Sequence, residues 1–188
     1  MINSNAGVFM KKLIPILSVI VLLFISCQGE SHYLSPERIK LEKANILAVI
    51  KDYHAASNRK DFSAMIPTLA GEVRFFGTDS GEVITSFTEY KQKMLQQWEE
   101  YDVTKYGEPY DVFIEMDPNA NFASIIYGVQ LYVKKKNSEA THQLRVARTL
   151  RREKDKWVIV SGISSIPRSK GDNEGSLVPA DTMKGANF

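Results

Sequence analysis

Residues 122–136 read FASIIYGVQLYVKKK, and their spacing decides the fold. Ala123, Ile125, Tyr127, Val129, Leu131 and Val133 fall at every second position, so one face is apolar along the whole segment. A period of two marks an extended strand with one buried face, and this strand is longer than most. The next segment behaves alike: within 141–152, Leu144, Val146 and Leu150 share one face, with Arg145, Ala147 and Thr149 opposite. Lys154-Asp155-Lys156 turns the chain into a last strand, Trp157 to Ile163. On the N-terminal side, Tyr110, Val112, Ile114 and Met116 alternate within 106–116, and Asp117-Pro118-Asn119 supplies the turn into 122–136. Long strands joined by tight turns make an antiparallel meander.

The front half has a different rhythm. Ser35-Pro36-Glu37 is a helix start: a side-chain cap, proline at the first helical position, then an acid near the positive dipole end. Ile46, Ile50, Tyr53 and Ser57 follow at helical spacing, flanked by Leu47 and His54, and the helix should stop near Asn58. Asp61 can cap a shorter helix through Phe62, Met65 and Ile66, which Pro67 disrupts. Glu72 to Thr78 reads as a strand, residues 77–81 as a turn, and Val83 to Phe87 as a short extended piece. Thr88 is expected to cap a third helix carrying Tyr90, Met94, Leu95 and Trp98. Three helices followed by long strands is an α+β layout, with no internal repeat and no βαβ rhythm.

Both ends lie outside that body. Lys11 and Lys12 precede an apolar run of 13 residues, Leu13 to Ile25, well short of the roughly 20 that a spanning helix needs. A basic start, a short apolar stretch and small residues at the cut describe an export signal over residues 1–26. Met10 directly precedes the lysines and is a candidate start of translation. Phe24-Ile25-Ser26-Cys27 resembles a bacterial lipoprotein box, with phenylalanine where leucine is usual; Cys27 would then be acylated and become the mature N-terminus. Residues 27–35 form a short linker that would keep the domain near the bilayer, residues 36–166 the domain, and residues 167–188 a flexible tail. This sets the expected address at a bacterial cell envelope, with contact to the membrane through the N-terminal lipid.

Composition narrows the functions. Hydrophobic residues make up 44% and charged residues 24%, a globular profile. Removal of Lys11 and Lys12 with the acid-free leader leaves 22 basic against 22 acidic residues, so no basic excess remains for nucleic acid. One cysteine precludes an intramolecular disulfide. Without an HxxxH pair or paired cysteines, neither a metal nor a cofactor is implied.

Three stretches resemble the SnoaL-like branch of the nuclear transport factor 2-like superfamily: Tyr53-His54-Ala55-Ala56 with Asp61, Phe75 to Glu82 with its glycine-threonine-aspartate turn, and Lys156 to Val160. The resemblance implies a cone-shaped barrel of strongly curved antiparallel sheet packed against about three N-terminal helices, with a pocket at the open end and homodimers through the sheet. In the family's ketosteroid isomerases a carboxylate base and two acidic donors serve an apolar pocket. Tyr53 matches the donor tyrosine. Gly77 stands near the base position, with Asp79 two residues on, and Ala147 near that of the second donor. One role of three is present, which argues against that isomerase chemistry.

Each candidate residue has an ordinary alternative. Tyr53 can donate to a ligand oxygen or simply pack its ring; His54 can act as a base or lie at the helix edge. Asp79 and Glu82 can form an acid/base pair at the mouth, or only shape a turn. Phe76, Trp98 and Tyr127 are candidate pocket walls or plain core. Arg145 would meet an anionic ligand if the Ala147 face is the concave one. Three functions follow: a non-catalytic pocket for a small, partly apolar molecule, an acid/base enzyme acting on a small carbonyl compound with Asp79 or His54 as base and Tyr53 as donor, or an assembly module using the sheet face.

Overall fold

The computed structural model describes residues 34–78 and 81–167. Helix α1 (Pro36–Asn58) opens as its signals predict, the Ser35 side chain accepting from the Arg38 N–H at 3.2 Å. A single turn of helix, α2 (Phe62–Met65), is capped by Asp61, and a 3₁₀ turn at Ile66–Thr68 holds Pro67. Strands β1 (Leu69–Phe76) and β2 (Val83–Ile84) precede helix α3 (Phe87–Glu100). The cap of α3 is Ser86 and not Thr88. Ser86 Oγ accepts from the Glu89 N–H, while the Glu89 carboxylate reaches back to the Thr85 N–H at 2.8 Å.

The strands that follow are β3 (Val103–Tyr106), β4 (Tyr110–Met116), β5 (Phe122–Lys135), β6 (Ser138–Glu153) and β7 (Lys156–Ser165). The stretch 106–116 is thus not one strand. Pro109 lacks the N–H that a ladder needs, and Asp111 takes a positive φ beside a bulge, so the chain breaks and two short strands pair with successive halves of β5. One curved seven-stranded sheet results, in the order β2-β1-β7-β6-β5-β3 with β4 also on β5, and it is not closed. All pairings are antiparallel except β1 with β7, which is parallel.

The alternation in β5 points Ala123, Ile125, Tyr127, Val129, Leu131 and Val133 inward, against Ile46, Ile50 and Tyr53 of α1 and Tyr90, Met94 and Trp98 of α3. Two polar devices hold the helices there. Asn58 exchanges two hydrogen bonds with the Tyr106 backbone (3.0 and 2.7 Å), imitating a strand partner for β3. Lys60 donates to the carbonyls of Trp98 and Tyr101, each at 2.6 Å, capping the negative end of α3. Among the described residues no helix is long and apolar enough to cross a membrane.

Candidate functional site

Between the sheet and α3 lies a cavity of about 310 Å³, walled by Tyr53, Phe75, Tyr90, Tyr106, Leu131 and Leu144, with Arg148 and Ser164 on the sheet side. Helical spacing sends Tyr53 from α1 toward α3, where its hydroxyl lies 2.6 Å from that of Tyr90. Tyr90 donates onward to the Met65 sulfur at 3.3 Å, so Tyr53 is the donor to Tyr90. Burial, then the neighbouring Tyr53, raises the Tyr90 phenol well above its ordinary range; burial likewise raises Tyr106, and it pushes Tyr127 up to about 12. All three therefore keep their protons at neutral pH, and Tyr106 Oη has no hydrogen-bond partner among the described residues.

His54 lies outside the cavity lining. Its ring stacks on Tyr106 with centroids 4.6 Å apart, and Nε2 stands 3.1 Å from Tyr127 Oη. Burial, then the charge of Arg148, lowers its pKa to about 3, so the imidazole is neutral, with Nδ1 buried and unpartnered.

Arg148 is the one charged side chain on the inner face of the sheet that borders the cavity, and it is only 8% exposed. Nη1 donates to the carbonyls of Ala147 (3.1 Å) and Ile163 (3.0 Å), and Nη2 to Ser164 Oγ (3.0 Å), while Nε is buried without a partner. Its guanidinium lies over the Phe75 ring at 5.1 Å. Among the described residues no carboxylate forms an ion pair with it. The seat exists because Gly162, its cross-strand neighbour, has no side chain: a Cβ there would overlap Arg148. At the mouth, Glu82 folds back over Gly77 and accepts from the Thr78 N–H at 3.0 Å.

The expected site residues separate accordingly. Tyr53 lines the cavity. His54 and Tyr127 sit beside it, outside its lining. Phe76 borders the mouth but is 56% exposed, and Trp98 is buried against Phe62, away from the lining. Arg145 stands exposed on the outer face, since the concave face is that of Leu144, Val146 and Leu150. Asp79 and Cys27 lie outside the described residues. The unanticipated arginine, Arg148, shares its parity with those three apolar residues, so the alternation itself marked a cation directed inward. A second hollow of about 560 Å³, between α1, the 3₁₀ turn and the β6–β7 hairpin, holds none of the expected residues.

Comparison with known proteins agrees with this architecture. Residues 46–169 match the model of the SnoaL-like domain. The chain belongs to that family. No curated protein matches it. Among solved structures, a hexachlorocyclohexane dehydrochlorinase (LinA-type3) from Novosphingobium barchaimii superposes with a TM-score of 0.62 at 9% identity, covering 71% of this chain and 92% of that one. A protein from Novosphingobium aromaticivorans provisionally named a scytalone dehydratase gives 0.65 at 10% identity, covering 71% and 89%. A nuclear transport factor 2-like protein with a cystatin-like fold, also from Novosphingobium aromaticivorans, gives 0.60 at 10% identity, covering 78% and 92%. At such identities the likeness is one of fold.

Proposed function

We propose that this SnoaL-like chain is an envelope lipoprotein whose cavity holds a small, partly apolar molecule without transforming it. The observation carrying the reading is the cavity itself, in which aromatic and aliphatic walls (Tyr53, Phe75, Tyr90, Leu131, Leu144) meet polar and charged ones (Glu82, Lys93, Gln97, Arg148), at the small end of the size range of binding pockets. A thermal-shift screen of the full-length protein against small apolar acids, amides and carbonyl compounds tests it. At least one class should raise the melting temperature, and a screen without a shift removes the reading.

Membrane attachment rests on the sequence around Cys27, whose acylation would add about 0.8 kcal/mol of membrane affinity per buried methylene. Metabolic labelling with a radioactive fatty acid should mark the wild type and not Cys27→Ser, which should leave the membrane fraction. An unlabelled wild type ends the lipoprotein assignment.

The acid/base reading keeps one supporting observation: Glu82 lines the mouth of the cavity that holds the Tyr53–Tyr90 hydroxyl pair. It predicts a turnover that Glu82→Gln abolishes with the fold intact. A homodimer is supported by the outer face. Phe113, Ile126, Ala147, Ile163 and Phe76 are cross-strand neighbours in one row, and all but Ala147 are at least half exposed. Light scattering should report twice the monomer mass, and Ile126→Lys should halve it.

A further inference from the structure

We infer that the molecule held in this cavity is a small monocarboxylic acid with an apolar body, its carboxylate seated on Arg148 and Tyr106. This rests on the binding reading above and names the ligand's chemistry. The first argument is charge. A guanidinium removed from water is costly unless it meets an anion, yet Arg148 meets only two carbonyls, one hydroxyl and an aromatic face. Its three bonds leave two N–H groups unused, a buried Nε and one on Nη2, and a carboxylate oxygen is the charged acceptor that the remaining Nη2 donor favours.

The second argument is the company that Arg148 keeps. Tyr106 lines the same cavity and its hydroxyl has no partner among the described residues, whereas Tyr53 donates to Tyr90 and Tyr90 to Met65. On the inner sheet face, one cation beside one phenol without a partner among the described residues suits a single negative charge. No lysine stands with Arg148 on the inner sheet face to match a dianion; the second cation of the lining, Lys93, comes from α3, and Glu82 and Glu100 line the cavity too. The remaining walls, Phe75, Leu131, Leu144 and the tyrosine rings, would enclose the body. At about 30 Å³ for each water-sized group, 310 Å³ admits about ten such groups, the scale of an aryl or short alkyl acid.

Isothermal titration of the full-length protein with benzoate and hexanoate, against the neutral isosteres benzamide and hexanamide and against inorganic phosphate, tests this. Each acid should bind at least about tenfold tighter than its amide and tighter than phosphate. That preference should vanish in Arg148→Met, survive in part in Arg148→Lys, and weaken in Gly162→Ala, which displaces the guanidinium and keeps its charge. The wild-type comparison needs no variant to fold. Amides bound as tightly as acids overturn the inference and leave the pocket reading standing. So does phosphate bound as tightly as the acids, or an acid preference that persists in a folded Arg148→Met. Absence of binding by both acids overturns it too, and the pocket reading is then decided by its own broader screen.

Discussion

Two arginines on the inner face of β6, four residues apart, have opposite surroundings. Arg152 meets Glu42, which is fully buried in α1 and accepts from Arg152 Nη1 at 2.9 Å, Trp157 Nε1 at 2.8 Å and Arg38 at 2.6 Å, with Asn45 alongside. Every lone pair at that end has a donor, and the charge closes the seam between α1 and the β6–β7 hairpin. Arg148 has only neutral acceptors and faces a hollow. A buried charge that is saturated holds two elements together; one left unsaturated weakens the fold and is available to something else.

Acid should separate the two ends most. His54, beside the open end, has its pKa lowered from 6.5 to about 3, so the unfolded chain binds a proton that the folded chain refuses. Its contribution is complete above pH 6.5 and is lost progressively as pH falls toward 3, to a limit of roughly 5 kcal/mol at 1.36 kcal/mol per unit. Urea unfolding followed from pH 7.5 to 4 should show this slope, and His54→Gln should flatten it. At the seam between α1 and the β6–β7 hairpin, burial raises the Glu42 pKa, but the bonds from Trp157 and Arg152 and the charge of Arg152 outweigh it and hold it below the ordinary value. Its contribution is present above the unfolded value of 4.5 and is lost only as pH falls below it. A slope confined below pH 4.5 would exclude His54 and leave the acid sensitivity to carboxylates held below their ordinary values, Glu42, Asp61 and Asp117 among them.

Glu42→Ala should come next, destabilising by about 3–5 kcal/mol because it strands Arg152 and the Trp157 N–H in a buried seam. Chemical denaturation measures it directly. A cost below about 1 kcal/mol would mean that water replaces the carboxylate there, and the contrast between the two ends would lose its physical basis.

Much of this was legible in the order of residues, for reasons that differ by element. The strand at 122–135 and the helix at 36–58 announce themselves because a period of two and a capped start are local properties. The cap at Ser86 could have been preferred to Thr88, since Glu89 stands three residues on and completes a capping box. The parallel pairing of β1 with β7 has no local sign: it joins residues some 90 apart, and only the curvature of the finished sheet brings them together. The site suffered from one missing bit of information, which side of the pleat is concave. Arg145 and Arg148 have opposite parity, so that single choice decided which arginine enters the cavity. His54 was recognisable as a residue type, but its neutrality follows from Tyr106, Tyr127 and Arg148, which arrive from other strands.

The smallest expected effect sharpens the contrast most. Arg148→Met should change stability by about 1 kcal/mol or less, several times less than Glu42→Ala. Three hydrogen bonds to neutral acceptors are lost, each worth about 1 kcal/mol net, but a buried charge that no carboxylate among the described residues offsets is lost with them. Methionine fills much of the same channel over Gly162 and keeps contact with the Phe75 ring, so no large void opens. The two terms oppose each other at Arg148, whereas at Glu42 they act together. Denaturant midpoints of the two variants, measured at one pH, decide the matter. A loss in Arg148→Met as large as that in Glu42→Ala would make both arginines structural and leave the cavity without its free cation.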